Sequence, residues 1–287
     1  MSDNIKKAMP QPVFINGEKN SRIALYRYEN TSCQSPPVIL THGTFSNGLI
    51  CTELAKFLNS HGFDCWIYEW SGHGLSEYGQ LYPDAEAFAL HDVPAVIKTV
   101  LEKTNETSCT WVAHSGGGFL PLIYMARNPQ RQHEINAIVG MGSQTTEAGK
   151  TWPGKLITMI VPALVKIFGR FPGPLLGLGP EDEVSGFLEQ WCQWNRSGKW
   201  IGKDGFDYDK ALGDIHIPTL LIAGANDVIA PPGGCQQIYD LLGSTRKKYV
   251  LCSKANGYNE NYNHPRLIAS QNARIDVWPI VFEFINS

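Results

Sequence analysis

Ala113-His114-Ser115-Gly116-Gly117 decides the reading of this chain. It follows Cys109-Thr110-Trp111-Val112, where β-branched and aromatic residues predict a strand. It precedes Phe119-Leu120-Pro121-Leu122-Ile123-Tyr124-Met125-Ala126-Arg127, which predicts a buried helix ending at Asn128-Pro129. A serine between a strand and a helix, with small residues on both sides, reads as a nucleophile on a sharp turn. Small neighbours are needed because the turn is strained and its backbone runs close to other chain. The helix beyond it aims its N-terminal amides at negative charge developing near the serine.

Working outward, strand-like and helical runs alternate. Pro12-Val13-Phe14-Ile15 and Arg22-Ile23-Ala24-Leu25-Tyr26-Arg27-Tyr28 predict an antiparallel hairpin at a sheet edge. Val38-Ile39-Leu40 is a strand leading into Thr41-His42-Gly43-Thr44, and a helical pattern follows over 50–60. Cys65-Trp66-Ile67-Tyr68 is the next strand, with Glu69-Trp70-Ser71-Gly72-His73-Gly74-Leu75-Ser76 as its loop. Asp84 fits the N-cap of a long helix through Lys103, with a kink at Pro94. Beyond the serine's helix, Ile135-Asn136-Ala137-Ile138-Val139-Gly140-Met141 is a further strand. This rhythm predicts an α/β fold with a doubly wound, mostly parallel sheet.

The rhythm breaks at Ser143 and resumes at Ile217-Pro218-Thr219-Leu220-Leu221-Ile222-Ala223. The expected division is therefore 1–142 as the first part of the core, 143–213 as an inserted cap or lid, and 214–287 as the second part of the core. Within the insertion, Leu156, Ile157, Met159, Ile160, Val161, Leu164, Val165 and Phe168 follow helical spacing. Pro162 predicts a kink or break there, and Lys155, Lys166 and Arg170 give a cationic fringe. Phe171-Pro172-Gly173-Pro174-Leu175-Leu176-Gly177-Leu178 adds an apolar loop. An apolar cap over a serine favours a substrate with a hydrophobic acyl or alkyl part.

A serine hydroxyl is a weak nucleophile and needs an adjacent base, itself oriented by a carboxylate. Downstream, Leu221-Ile222-Ala223-Gly224-Ala225-Asn226-Asp227 places Asp227 just past a strand. After one more strand, Lys248-Tyr249-Val250-Leu251-Cys252, His264 falls in Asn261-Tyr262-Asn263-His264-Pro265, a loop before the last helix. Both lie at carboxyl ends of strands, where open α/β sheets form their sites. Ser115, Asp227 and His264 are therefore the candidate catalytic residues. Asp207, Asp209 and Asp214 precede the acid strand and are poorer candidates, while Asp276 is expected to be solvated. His73 reads as a structural turn residue, His42 as orienting the loop behind the oxyanion site, and His114 as bracing the turn. A tetrahedral oxyanion needs two backbone donors, and the amides of Gly116 and Thr44 are the candidates.

Bulk properties exclude other classes. The formal charge of −3 over 287 residues carries no polyanion signature, so no nucleic-acid partner is expected. Seven cysteines without a C-x-x-C pair argue for reduced thiols, and no spacing suggests a metal site. Residues 1–11 lack the apolar centre of a signal peptide, and 156–168 is too short to span a bilayer. The expectation is a cytoplasmic protein with no membrane span and no cofactor, acting on a small-molecule ester. The sequence sets no oligomeric state.

Through these motifs the chain resembles the α/β-hydrolase superfamily along nearly its whole length. The resemblance rests on His42-Gly43-Thr44, Trp70-Ser71-Gly72-His73-Gly74-Leu75-Ser76, Ala113-His114-Ser115-Gly116-Gly117, Gly224-Ala225-Asn226-Asp227 and Asn263-His264. Ala113 stands where the usual pattern has glycine, and Asn263 rather than glycine precedes His264. A looser similarity to the acid-lipase branch and its bacterial relatives rests on Gln190-Trp191-Cys192-Gln193-Trp194-Asn195-Arg196-Ser197-Gly198-Lys199-Trp200 and Phe206-Asp207-Tyr208. Trp191 and Trp194, with Leu164, are candidate substrate-binding residues, although aromatic clusters more often pack. The resemblance implies the α/β-hydrolase fold with an inserted cap, and a serine hydrolase cleaving a carboxylic ester through an acyl-enzyme. The same machinery also serves a thioesterase, lactonase, amidase or C–C hydrolase. From another class, a non-catalytic small-ligand receptor on this fold is the alternative; a missing triad member would mark it, and all three are present.

Overall fold

The computed structural model describes residues 9–80 and 83–287. Most of the polar stretch 1–11 lies outside the described residues, as do the side chains of Lys166 and Phe168. Pro12–Asn16 (β1) and Arg22–Tyr28 (β2) form the expected antiparallel hairpin, with Val13 opposite Leu25. Val38–Thr41 (β3), Cys65–Tyr68 (β4), Cys109–His114 (β5) and Ile135–Met141 (β6) follow. Arg170–Phe171 (β7) and Glu183–Val184 (β8) make a small ladder of their own, and Thr219–Gly224 (β9) and Lys247–Cys252 (β10) complete the set. Eight of these strands form one sheet in the order β1-β2-β4-β3-β5-β6-β9-β10, in which only β2 runs against the rest.

Helices cover both faces of the sheet, so the parallel strands are apolar on both sides. Ile39, Trp111 and Ile138 point into one buried cluster, while Leu40, Val112 and Val139 point into the other. Strand order reverses at β3, which has β4 on one side and β5 on the other. That is a topological switch point, the place at the carboxyl ends of the strands where open α/β sheets form their sites. The loop Thr41-His42-Gly43-Thr44 and the turn at Ser115 lie at the carboxyl ends of β3 and β5.

Local chemistry explains the helices that flank the sheet. Thr52–Ser60 (α1) buries Leu54, Ala55 and Leu58, as its helical spacing requires. Asp84 caps its segment by accepting from the Ala87 amide at 2.7 Å. The disturbance expected at Pro94 takes the form of a π turn over Phe88–Asp92, after which Val93–Thr104 (α2) resumes. Pro94 thereby sits in a first helical turn, where its missing N–H costs nothing. Leu120–Arg127 (α3) is buried along most of its length, and its C-terminal cap is Asn128.

Between β6 and β9 the chain forms Trp152–Phe168 (α4), the β7–β8 ladder and Ser185–Ser197 (α5). Of the kink or break expected at Pro162, the break does not occur: α4 is one helix of 17 residues with Pro162 inside it. Its apolar residues do not all turn inward either. Val165 is buried against Phe171 and Leu188, with Val161 and Phe45 alongside, whereas Trp152, Ile157, Met159 and Ile167 are exposed. Beyond β9, Pro232–Leu241 (α6) and Trp278–Ile285 (α7) complete the helical layers used below. Among the described residues no helix is long and apolar enough to cross a membrane.

Candidate active site

Ser115 sits directly after β5 with φ of +56°, in the left-handed region that a non-glycine residue adopts only when its surroundings impose it. Those surroundings are visible. A Cβ on Gly117 would lie 2.5 Å from the His42 carbonyl oxygen, and one on Gly43 would lie 2.3 Å from the Ser115 Cβ. Only glycine lets the β3 loop and the elbow approach this closely. Ser143 adds a second restraint, donating from Oγ to the Ser115 carbonyl at 2.8 Å.

The structure brings Ser115, His264 and Asp227 into one hydrogen-bonded chain. Ser115 Oγ is 2.8 Å from His264 Nε2, and His264 Nδ1 is 2.7 Å from Asp227 Oδ2. A carboxylate accepts only, so Nδ1 carries the proton and Nε2 is left to accept from the serine. Asp227 is buried, and its other oxygen accepts from the amides of Ile229 at 2.9 Å and Ala230 at 2.7 Å. The acid and histidine loops are tied together by the Asn226 amide, which donates to the Tyr262 carbonyl at 2.9 Å.

Asp276, expected in solvent, has a different place. It accepts from the Asn259 amide at 2.8 Å, Asn259 Nδ2 at 2.7 Å and the Tyr262 hydroxyl at 2.7 Å. Half-buried, it anchors the loop that delivers His264. The sequence carries no sign of this, because the contact joins residues 14 and 17 positions apart through the turn of the chain. The other carboxylates stay with local work: Asp207 caps a helical turn through the Lys210 amide, and Asp209 accepts from the Trp200 amide.

Three further histidines are buried in this part of the fold. His42 is fully buried, with Nδ1 on the Gly43 carbonyl at 2.8 Å and Nε2 accepting from the Trp70 amide at 3.3 Å. Burial, reinforced by the nearby His73, holds its pKa well below the ordinary value, so it is neutral. His114 donates from Nε2 to the His264 carbonyl at 2.9 Å, with the two rings 4.6 Å apart. Burial first, and His264 second, push its pKa down to about 3. It braces the base without carrying charge. His73, also fully buried, lies 3.4 Å from Glu183 Oε2. Burial alone would lower its pKa, but the charges of Glu183 and Glu181 and the Ser71 backbone hold it above the ordinary value.

The residues expected to donate to an oxyanion belong to the elbow and to the β3 loop that packs on it. Gly116 follows it in the elbow, and Thr44 lies one residue beyond Gly43, whose Cα side touches Ser115. The neighbouring Phe45 amide is already engaged, donating to Glu183 Oε2 at 3.1 Å.

The candidate substrate residues fall in different environments. Trp194 is packed shut between Phe119 and Trp200, and its Nε1 donates to the Ile201 carbonyl at 2.8 Å. Its indole has no open face, so it packs rather than lines a pocket. Trp191 is half-buried at the edge of the same cluster, and Leu164 is partly exposed on α4. The rings that do approach the site are others. A Cβ on Gly116 would lie 3.0 Å from the Trp70 ring and 3.1 Å from the Phe187 ring. Trp70 was legible as a residue at the carboxyl end of a strand; Phe187, on α5, gave no sequence signal. Gln190 and Tyr208, from the Trp/Gln-rich and Asp-Tyr passages, converge on buried Glu86 at 2.6 Å each.

Comparisons with known proteins agree with this architecture. A family model described as the alpha/beta hydrolase fold matches residues 36–178. Over 170 residues the chain is 28% identical to gastric triacylglycerol lipase of Mus musculus, covering 54% of this chain and 41% of the lipase. It is 22% identical over 303 aligned positions to a probable lysophospholipase L2 of Haemophilus influenzae, covering 95% of this chain and 91% of that protein. The chain spans 37–41% of the length of the first mammalian lipases it matches. A soluble variant of monoglyceride lipase from Saccharomyces cerevisiae, solved with a substrate analogue, superposes with a TM-score of 0.75 at 15% identity, over 97% of this chain and 95% of that one.

Proposed function

This chain belongs to the α/β-hydrolase superfamily, and from that premise we propose that it is a serine hydrolase cleaving carboxylic esters through an acyl-enzyme. One observation carries the proposal: the chain Ser115 Oγ, His264 Nε2, His264 Nδ1, Asp227 Oδ2, with links of 2.8 and 2.7 Å. In this reading Ser115 Oγ bonds to the ester carbonyl carbon while its proton passes to His264 Nε2. The carbonyl oxygen becomes an oxyanion held by the amides of Thr44 and Gly116. Collapse breaks the carbon–alkoxy bond, and the proton on His264 goes to the departing alcohol. Water then repeats the sequence on the acyl-enzyme, giving up a proton to His264 and releasing the acid and the free serine. Asp227 keeps His264 in the required tautomer and stabilises the imidazolium.

Two further features belong to the same reading. Residues 143–213 act as a cap over the site. The Trp70 and Phe187 rings beside Gly116 give the acyl or alkyl part of the substrate an apolar wall. An intact triad also favours the enzyme over a non-catalytic receptor, since a receptor has no need of an oriented base. The test is labelling by a fluorophosphonate probe, read by mass spectrometry, alongside a panel of p-nitrophenyl esters of graded chain length. Modification at Ser115 with loss of esterase activity is the expected result. Absence of labelling, or labelling at another serine, would overturn the assignment.

A further inference from the structure

Phe45, next to the proposed oxyanion donor Thr44, has φ of +59°. For a bulky residue that conformation is strained and persists only where its surroundings impose it. Here the inserted segment grips both of its backbone groups. The Phe45 amide donates to Glu183 Oε2 at 3.1 Å, and its carbonyl accepts from the Glu181 amide at 3.1 Å. Asn47, two residues on, donates from Nδ2 to Glu181 Oε1 at 2.6 Å. The Phe45 ring packs 5.9 Å from Phe171 of β7. On the other side of Thr44, the Gly43 carbonyl is fixed by His42 Nδ1 at 2.8 Å. Thr44 is thus stretched between one fixed point in the core and one supplied entirely by the insertion.

From this arrangement we infer that Glu183 is a positioning residue of the oxyanion site: by clamping the Phe45 amide, it holds the Thr44 amide towards Ser115 only while the insertion is seated. The inference rests on the reading of Thr44 and Gly116 as oxyanion donors. A carboxylate is needed at this position. Its second oxygen accepts from the Val184 amide at 3.0 Å, and the fully buried His73 stands 3.4 Å away. Both oxygens therefore face N–H groups, so a glutamine would turn its own NH2 against one of them. Without the clamp Phe45 relaxes to an ordinary backbone conformation and turns the neighbouring peptide. The oxyanion site is in this sense split between the core, which gives Gly116, and the insertion, which sets Thr44.

The test compares wild type with Glu183→Ala, Glu183→Gln and Ser115→Ala in the full chain. It measures kcat and KM on p-nitrophenyl butyrate, and inhibition by butylboronic acid and by butyrate. Boronic acids form a tetrahedral adduct on the serine that uses the oxyanion donors; butyrate reports ground-state binding. For both Glu183 variants kcat should fall by about 10²–10³-fold, the usual effect of losing one oxyanion donor, with KM nearly unchanged. The boronate Ki should rise in parallel and that of butyrate should stay constant. Adding Phe45→Gly to Glu183→Ala should restore at least about tenfold of kcat, because glycine holds a positive φ unaided. A residue that merely fastens the insertion would show no such rescue. If Glu183→Ala does not fold, Glu183→Gln keeps the volume and carries the comparison. Wild-type kcat and boronate affinity in Glu183→Gln, with Ser115→Ala inactive, would overturn this inference alone. Full activity in Ser115→Ala would overturn the proposed function as well.

Discussion

Ile138 in β6 and Ile157 in α4 are the same residue type in equally apolar runs, yet Ile138 is 0% exposed and Ile157 is 51% exposed. The contrast extends to the regions around them. The sheet turns Val, Ile and Trp inward on both faces, and its helices cover them. In the insertion, Trp152 is 76% and Leu175 83% exposed, while Thr158 and Glu183 are fully buried. The sheet is held by apolar packing, whereas the seam where the insertion meets the Phe45 loop adds hydrogen bonds and the His73–Glu183 pair to the Phe45–Phe171 contact. Burial of apolar area is non-directional and stabilises, whereas buried hydrogen bonds fix geometry at little net gain. One region is therefore built for stability, and under the proposed reading the other sets the position of atoms at the site.

The most severe way to test this division is at the chemistry itself. Ser115→Ala should lower kcat by about 10⁶-fold while leaving the melting temperature nearly unchanged. Near-normal turnover would place the nucleophile elsewhere. Asp227→Asn should cost about 10⁴-fold through the wrong histidine tautomer. Full activity in that variant, with loss in Asp209→Asn, would move the acid into the insertion. Gly43→Ala attacks the contact between loop and elbow. Its methyl would meet Ser115 at 2.3 Å, so kcat should drop by roughly 10²-fold as the loop is pushed off its donor position. Ester hydrolysis at saturating substrate reads all three.

Stability then sharpens the contrast. Ile138→Ala should cost about 2–5 kcal/mol in denaturant unfolding, because it opens a void in a closed cluster. Ile157→Ala should stay within about 0.5 kcal/mol, as exposed substitutions do. Equal losses would mean that the insertion builds a core after all. The smallest effect concerns pH. Since the His73 pKa is raised in the folded protein, chiefly by the charge of Glu183 against the effect of burial, the pair stabilises fully below the unfolded value of about 6.5. That contribution is lost as pH rises through the folded value. His42 and His114, lowered by burial, act in the opposite sense, so the comparison must be with His73→Gln rather than with wild type alone. The difference in melting temperature should be largest near pH 6 and shrink above it; a difference that grows with pH would contradict the pairing.

The sequence by itself determined the sheet and the order of the site residues. Apolar runs specify strands buried on both faces, and a serine among small residues specifies a sharp turn at the carboxyl end of such a strand. These signals are local, carried by neighbours a few positions apart. The tertiary structure decided what depends on residues distant in the chain. Trp194 packs shut because Phe119 and Trp200 arrive on either side of it, and Phe187 reaches Gly116 because α5 crosses above the elbow. Asp276 leaves solvent because the loop before His264 folds back onto it. Glu183 meets Phe45, 138 positions away, through a single hydrogen bond. Periodicity reports which face of an element is apolar, but the side chain that lands on that face is set by how the whole chain closes.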